Sequence, residues 1–129
     1  MFRGLAVAVF LAAALPALHA RVFEIRTYTT SQKMADVKAL FRDHSVALFK
    51  KHGLEVIGYW VPQDPPRSQD TFIYMLAFPD RETAKDRWEA FHKDPEWLKV
   101  RAEFEAKHGK IVDKIESEFV EPTDFSPLK

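Results

Sequence analysis

From Val22 to Thr29 apolar and polar positions alternate, with Phe23, Ile25 and Thr27 set against Glu24, Arg26 and Tyr28. A period of two with β-branched and aromatic residues predicts a strand. The period then changes. Between Met34 and Lys51, Val37, Leu40, Phe41, His44 and Leu48 recur at three- and four-residue spacing, while Lys38, Arg42, Asp43 and Lys50 fall off that stripe. This predicts a helix with His44 facing a sheet, ended by Gly53 as its C-cap. Leu54–Val61 and Thr71–Phe78 read as two further strands. Between them Pro62 to Gln69 reads as a stiff loop in which Pro65-Pro66 forbids regular structure.

Asp80 is placed to cap a helix from Arg81 to about Lys93, and Glu96 to Lys107 forms a second piece with Trp97, Val100 and Phe104 inward. The junction between them is the most informative stretch of the chain. Trp88 and Phe91 are three apart and share a face. Asp94 precedes Pro95 and is pushed out of the α region. It can cap the next helix, with Pro95 at the first position and Glu96 in the first turn. Gly109 closes that helix. Ile111 to Val120 reads as the last strand, although Ile111, Ile115 and Phe119 also fit helical spacing, and Glu121 to Lys129 is a proline-punctuated tail.

The order β-α-β-β-α-β is that of a ferredoxin-like α+β fold, an antiparallel sheet with the helices on one face. The third strand is apolar on both sides, Phe72, Tyr74, Leu76 and Phe78 against Ile73, Met75 and Ala77. The second strand repeats this with Val56 and Trp60 against Ile57, Tyr59 and Val61. Helices cover one face only, and the other would leave an apolar patch larger than a monomer tolerates. The expectation is a symmetric homodimer, sheet to sheet, pairing as a dimeric α/β barrel.

The chain has 129 residues, enough for one domain with a core, and its 19 basic and 19 acidic residues cancel. It lacks the basic stripe that phosphate neutralisation needs, so nucleic acid is not an expected partner. There is no Cys, which excludes disulfides and thiolate chemistry. Residues 1–20 read as a secretory signal: Arg3, an Ala-rich apolar run from Gly4 to Leu15, Pro16, and an exit at Ala17-Leu18-His19-Ala20. An uncleaved anchor and a mitochondrial presequence are the competing readings. Cleavage after Ala20 would leave a domain over 21–129, periplasmic or secreted, with no membrane attachment.

Candidate chemistry sits on the first strand. If Phe23 and Ile25 pack under the helices, Glu24, Arg26 and Tyr28 point into the barrel. There they form either an internal ion pair that fixes register or a polar ligand site. His44 is a candidate base on the inward stripe, with Arg26 and Tyr28 as its catalytic companions. Glu24, Trp60, Tyr74, Trp88 and Trp97 are candidate ligand contacts, and 11 Phe can line an apolar cavity for a small hydrophobic or aromatic ligand. His52, His92 and His108 fall at helix ends and read as capping or solvated. Metal-binding spacing, a nucleophile elbow, a phosphate loop and a dinucleotide fingerprint are all missing, so neither metal nor cofactor is expected.

Several pieces together resemble a NIPSNAP domain of the dimeric α/β-barrel superfamily, over nearly all of Val22 to Leu128. They are Phe23-Glu24-Ile25-Arg26-Thr27-Tyr28, His44 with His52-Gly53-Leu54, and Gly58-Tyr59-Trp60. With them go Arg87-Trp88-Glu89-Ala90-Phe91, Asp94-Pro95-Glu96-Trp97 and Pro122-Thr123-Asp124-Phe125-Ser126-Pro127-Leu128. Phe23 stands where a Tyr is common, and the proline-rich loop departs from the pattern. The resemblance implies a fold without an established catalytic apparatus. Eukaryotic members are linked to mitochondria and vesicle traffic, and the wider superfamily includes cofactor-free monooxygenases and haem-degrading enzymes. Three functions follow as expectations: a non-catalytic exported module binding a partner or small apolar ligand, a cofactor-independent oxygenase or isomerase, or a domain that only assembles.

Overall fold

The computed structural model describes residues 8–9 and 21–129, so the expected signal segment lies outside the described residues except for Ala8 and Val9. Four strands, β1 (Val22–Thr29), β2 (Glu55–Trp60), β3 (Thr71–Phe78) and β4 (Lys114–Val120), form one antiparallel sheet in the order β2-β3-β1-β4. The helices are α1 (Met34–Leu40), α2 (Val46–Lys51), α3 (Arg67–Asp70), α4 (Arg81–Lys93) and α5 (Pro95–His108). This is the expected ferredoxin-like α+β arrangement. Among the described residues no helix is long and apolar enough to cross a membrane.

Three local differences from the sequence reading have physical causes. A short helical turn, α3, follows Pro66 directly, because proline bars a helix from continuing behind it but not from starting after it. The last strand begins at Lys114, and Ile111 and Val112 precede it as irregular chain. The helix from Met34 to Lys51 is interrupted by a π-helical segment, Phe41–Ser45. That wider turn inserts a residue into the apolar stripe, so Ser45 is buried at 1% exposure and His44 is turned to half-burial.

The core lies between the sheet and the helices. Tyr74, Leu76 and Phe78 from β3 are fully buried against Phe41, Leu48 and Phe49 from the first helical segment and Ala84, Trp88 and Phe91 from α4. Phe41 contacts Tyr28, Phe49, Tyr59, Phe72 and Tyr74, an aromatic cluster in edge and tilted geometries at 4.8–5.9 Å. On the other face of the sheet Trp60 is 49% exposed, with Ile25, Ile73 and Met75 half-buried near it.

Asp94 holds the helical junction. Its Oδ1 accepts the Glu96 N–H at 2.8 Å, the cap expected from the sequence. Its Oδ2 accepts from Lys51 Nζ at 2.7 Å and meets His52 Nε2 at 2.6 Å, which ties the end of α2 to the start of α5. Bonds from Lys51, then His52 and the Glu96 amide, hold the Asp94 carboxyl well below its ordinary value near 3.8. A depressed folded pKa gives stabilisation that is present above the unfolded value and lost as pH falls through the folded one. We therefore expect Asp94→Asn, which keeps a capping oxygen, to melt below the wild type at pH 7. The gap should narrow steadily below about pH 4, the unfolded carboxylate range. Thermal melts from pH 7 to 2 check this, and a gap independent of pH would refute the ionic account.

Candidate functional site

β1 presents Glu24, Arg26 and Tyr28 to the helices, not to the open face of the sheet. The expectation that these three point into a barrel is therefore reversed. The reason lies in Trp88: its indole N–H donates to Glu24 Oε1 at 2.6 Å, and such a bond requires the carboxylate on the helical side. Glu24 is 2% exposed, and its Oε2 accepts from Ser117 Oγ at 2.6 Å and Arg26 Nη1 at 3.0 Å. Both its oxygens are occupied within the protein. Glu24 is thus a fixed anchor for Arg26 rather than a ligand contact.

Arg26 lies with its guanidinium carbon 4.3 Å from the Trp88 ring centroid, a cation–π contact. Burial opposes its charge, but Tyr74, Tyr28 and Glu24 more than offset this, so it stays a cation. Among the described residues its one hydrogen bond is the bond from Nη1 to Glu24, and its buried Nε–H has no acceptor. Guanidinium carries five N–H donors in a planar fork. The Arg26 side chain, 13% exposed, lines a cavity of about 390 Å³ between sheet and helices.

The cavity walls are mostly aromatic. Phe41 and Phe49 line it from the first helical segment, Trp88 and Phe91 from α4, and Trp97 and Phe104 from α5. Tyr28 lines it as well, and its hydroxyl shares a 2.8 Å hydrogen bond with Tyr74. Tyr74 itself is wholly buried behind this wall, and burial pushes its phenol well above the ordinary value. Its part is to hold Tyr28, not to touch a ligand. The polar rim consists of His92, Arg101, Glu105 and Lys110.

Of the residues singled out from sequence, Arg26, Tyr28, Trp88 and Trp97 meet at this cavity. Two do not. His44 packs edge-on against Phe104 at 5.9 Å and does not line the cavity, because the π turn gives its inward position to Ser45. Trp60 lies on the far face of the sheet, opposite Ile73, with its ring folded across Gly58. His92 lies exposed in the last turn of α4, as read from the sequence, and also borders this cavity, whereas Arg101 went unnoticed. Both lie four residues after a tryptophan, Trp88 and Trp97, one helical turn on and on the same face; that spacing was the available signal.

His92, like His44, has no hydrogen-bond partner among the described residues, in contrast to two other histidines. His52 is bonded to Asp94 and His108 Nδ1 lies 3.2 Å from Asp36 Oδ1. The His92 ring stacks on Trp88 at 5.6 Å and 21° and has no hydrogen-bond partner among the described residues. Partial desolvation of this exposed ring, then the nearby Arg26 and Arg101 charges, lower its pKa from 6.5 and favour the neutral form at pH 7. Among the described residues no three His, Cys, Asp or Glu converge as a metal site. The arrangement can therefore hold an aromatic body, pair an anionic group with guanidinium, and present a neutral imidazole beside both.

The NIPSNAP family model matches residues 23–127. A NIPSNAP family protein of Agrobacterium tumefaciens superposes with a TM-score of 0.73 at 24% identity, over 84% of this chain and 99% of that one. An uncharacterised NIPSNAP-like domain protein from Burkholderia xenovorans gives 0.71 at 19% identity, over 84% and 90%. SnoaB, a cofactor-independent oxygenase from Streptomyces nogalater, gives 0.55 at 11%, over 84% and 99%, a likeness of fold alone. No curated protein is significantly similar in sequence.

Proposed function

The chain belongs to the NIPSNAP family, and we propose that it uses the cavity between sheet and helices to bind a small aromatic molecule carrying an anionic group. The observation that carries this reading is Arg26. Its guanidinium belongs to a cavity-lining side chain with a single internal hydrogen bond among the described residues and 13% exposure, so Nη donors are left for a charge-assisted bond to a ligand oxygen. Glu24 fixes the guanidinium through one edge and leaves the rest of the fork for a carboxylate. The aromatic walls supply the apolar part of the binding energy, and a cavity near 390 Å³ suits one ring with a short side chain.

The same proposal assigns two further properties. The apolar outer face of the sheet, with Trp60 exposed and Ile73 and Met75 beside it, is covered by a second copy of the chain. The N-terminal twenty residues direct export, and the working protein begins at Arg21.

The test compares 3-phenylpropionate with 3-phenylpropanol, which differ mainly in the anionic group, by quenching of Trp fluorescence. The acid should bind the wild type, and Arg26→Gln, which can still donate to Glu24, should weaken it by about 10- to 100-fold. The alcohol should respond little to that change. Equal affinity for acid and alcohol, or no binding of either, would sink the proposal.

A further inference from the structure

His92 borders the cavity at its solvent-exposed edge, with both ring nitrogens unpartnered among the described residues. It shares the Trp88 indole with Arg26, the imidazole stacked at 5.6 Å and the guanidinium at 4.3 Å. Arg101 and Glu105 from α5 and Lys110 from the following loop complete the polar rim, and Tyr28 faces it from β1. No carboxylate is bonded to His92 that would hold it as a resident cation. An imidazole at the exposed edge of the cavity, on the same indole as the guanidinium, stands where it can take a proton from a molecule held by Arg26.

We propose that His92 is a general base that removes a proton from the carbon beside the carbonyl of a bound aromatic 2-keto acid. The inference rests on the anionic-ligand reading above. In the step, the C3–H bond of the keto acid breaks, its proton passes to a ring nitrogen of His92, and its electron pair forms the C2–C3 double bond. The carbonyl π pair moves to oxygen, and the guanidinium N–H groups stabilise the resulting enolate. Return of a proton from the imidazolium to oxygen gives the enol, and return to carbon restores the ketone. Nothing is oxidised or reduced, so no co-reactant is needed. The arginines serve twice, since they hold the substrate anion and add to desolvation in disfavouring the protonated base until it arrives. Binding of the anion between them screens their charge from the imidazole and makes it a stronger base at the moment it is used.

Phenylpyruvate is the probe: its ring fits the aromatic walls, its carboxylate fits the guanidinium, and its C3–H is acidic. Deuterium uptake at C3 in D₂O, followed by proton NMR, should run faster with protein than in buffer. His92→Ala and the bulkier His92→Gln should each cut that acceleration by about 100-fold or more. Both should still bind phenylpyruvate, by Trp fluorescence, with an affinity within about threefold, since neither removes the guanidinium. Titration of His92 by NMR should show its pKa rising when 3-phenylpropionate is bound. Wild type that binds phenylpyruvate without speeding exchange overturns the inference and leaves the binding reading standing. A His92→Ala protein that folds and exchanges like wild type also overturns it. Failure to bind phenylpyruvate at all overturns both.

Discussion

Glu24→Gln should destabilise the protein by about 3–5 kcal/mol, as expected when one member of a buried ionic cluster is removed and its partners are left in place. The reasoning follows the bonds. Glu24 is 2% exposed and accepts from three donors on three different elements, Arg26 on β1, Trp88 on α4 and Ser117 on β4. An amide of the same shape can still accept the indole N–H through its oxygen. Its NH₂ group cannot accept from Ser117 or Arg26, and it leaves the guanidinium buried without a counter-charge. Urea unfolding of the two proteins gives the difference from their midpoints. The double variant Glu24→Gln with Arg26→Gln should recover part of the loss, because the uncompensated charge has gone too. A single-variant loss under about 1 kcal/mol would mean that the cluster is not anchoring the sheet to α4.

The same cluster shows how far the sequence could be read. Alternation along Val22–Thr29 identified the strand and grouped Glu24, Arg26 and Tyr28 on one face, and the structure has them so. It could not say which face, because Phe23, Ile25 and Thr27 form an equally plausible core stripe by hydropathy. The choice is made by a long-range bond, Trp88 to Glu24, between residues 64 apart. The helical stripe failed for a different reason. A fixed period near 3.6 placed His44 inward, and the π segment at Phe41–Ser45 adds a residue that periodicity cannot anticipate. Local chemistry fared better: the Asp80 cap on Thr83 and the Asp94 cap on Glu96 both stand as their short-range signals indicated. His92 is exposed at its helix end as that reading expects, and only the fold of α5 over α4 also sets it at the edge of the cavity.

The second large effect belongs to the open face of the sheet. β3 is a central strand, and its outer positions Ile73 and Met75 stand beside Trp60 of β2 and Ile25 of β1. A half-buried aliphatic centre flanked by a 49% exposed tryptophan is costly to leave in water. β4 adds charge on this face at Lys114, Glu116 and Glu118, which register opposite Thr29, Thr27 and Ile25. An apolar centre with a charged margin has the make-up of a protein interface, and a twofold partner would bring like centres together. We expect the wild type to sediment as a dimer at micromolar concentration. Ile73→Asp should sediment as a monomer, with a dimer dissociation constant raised by about 100-fold or more, because an unpaired carboxylate would be buried in the joint. Circular dichroism keeps the test sharp. Ile73 points away from the helical core, so the variant should retain the wild-type spectrum while losing its partner. A folded wild type that sediments as a monomer at that concentration would remove the second copy from the proposal. The cavity reading would survive it, because the residues that line the cavity belong to a single chain.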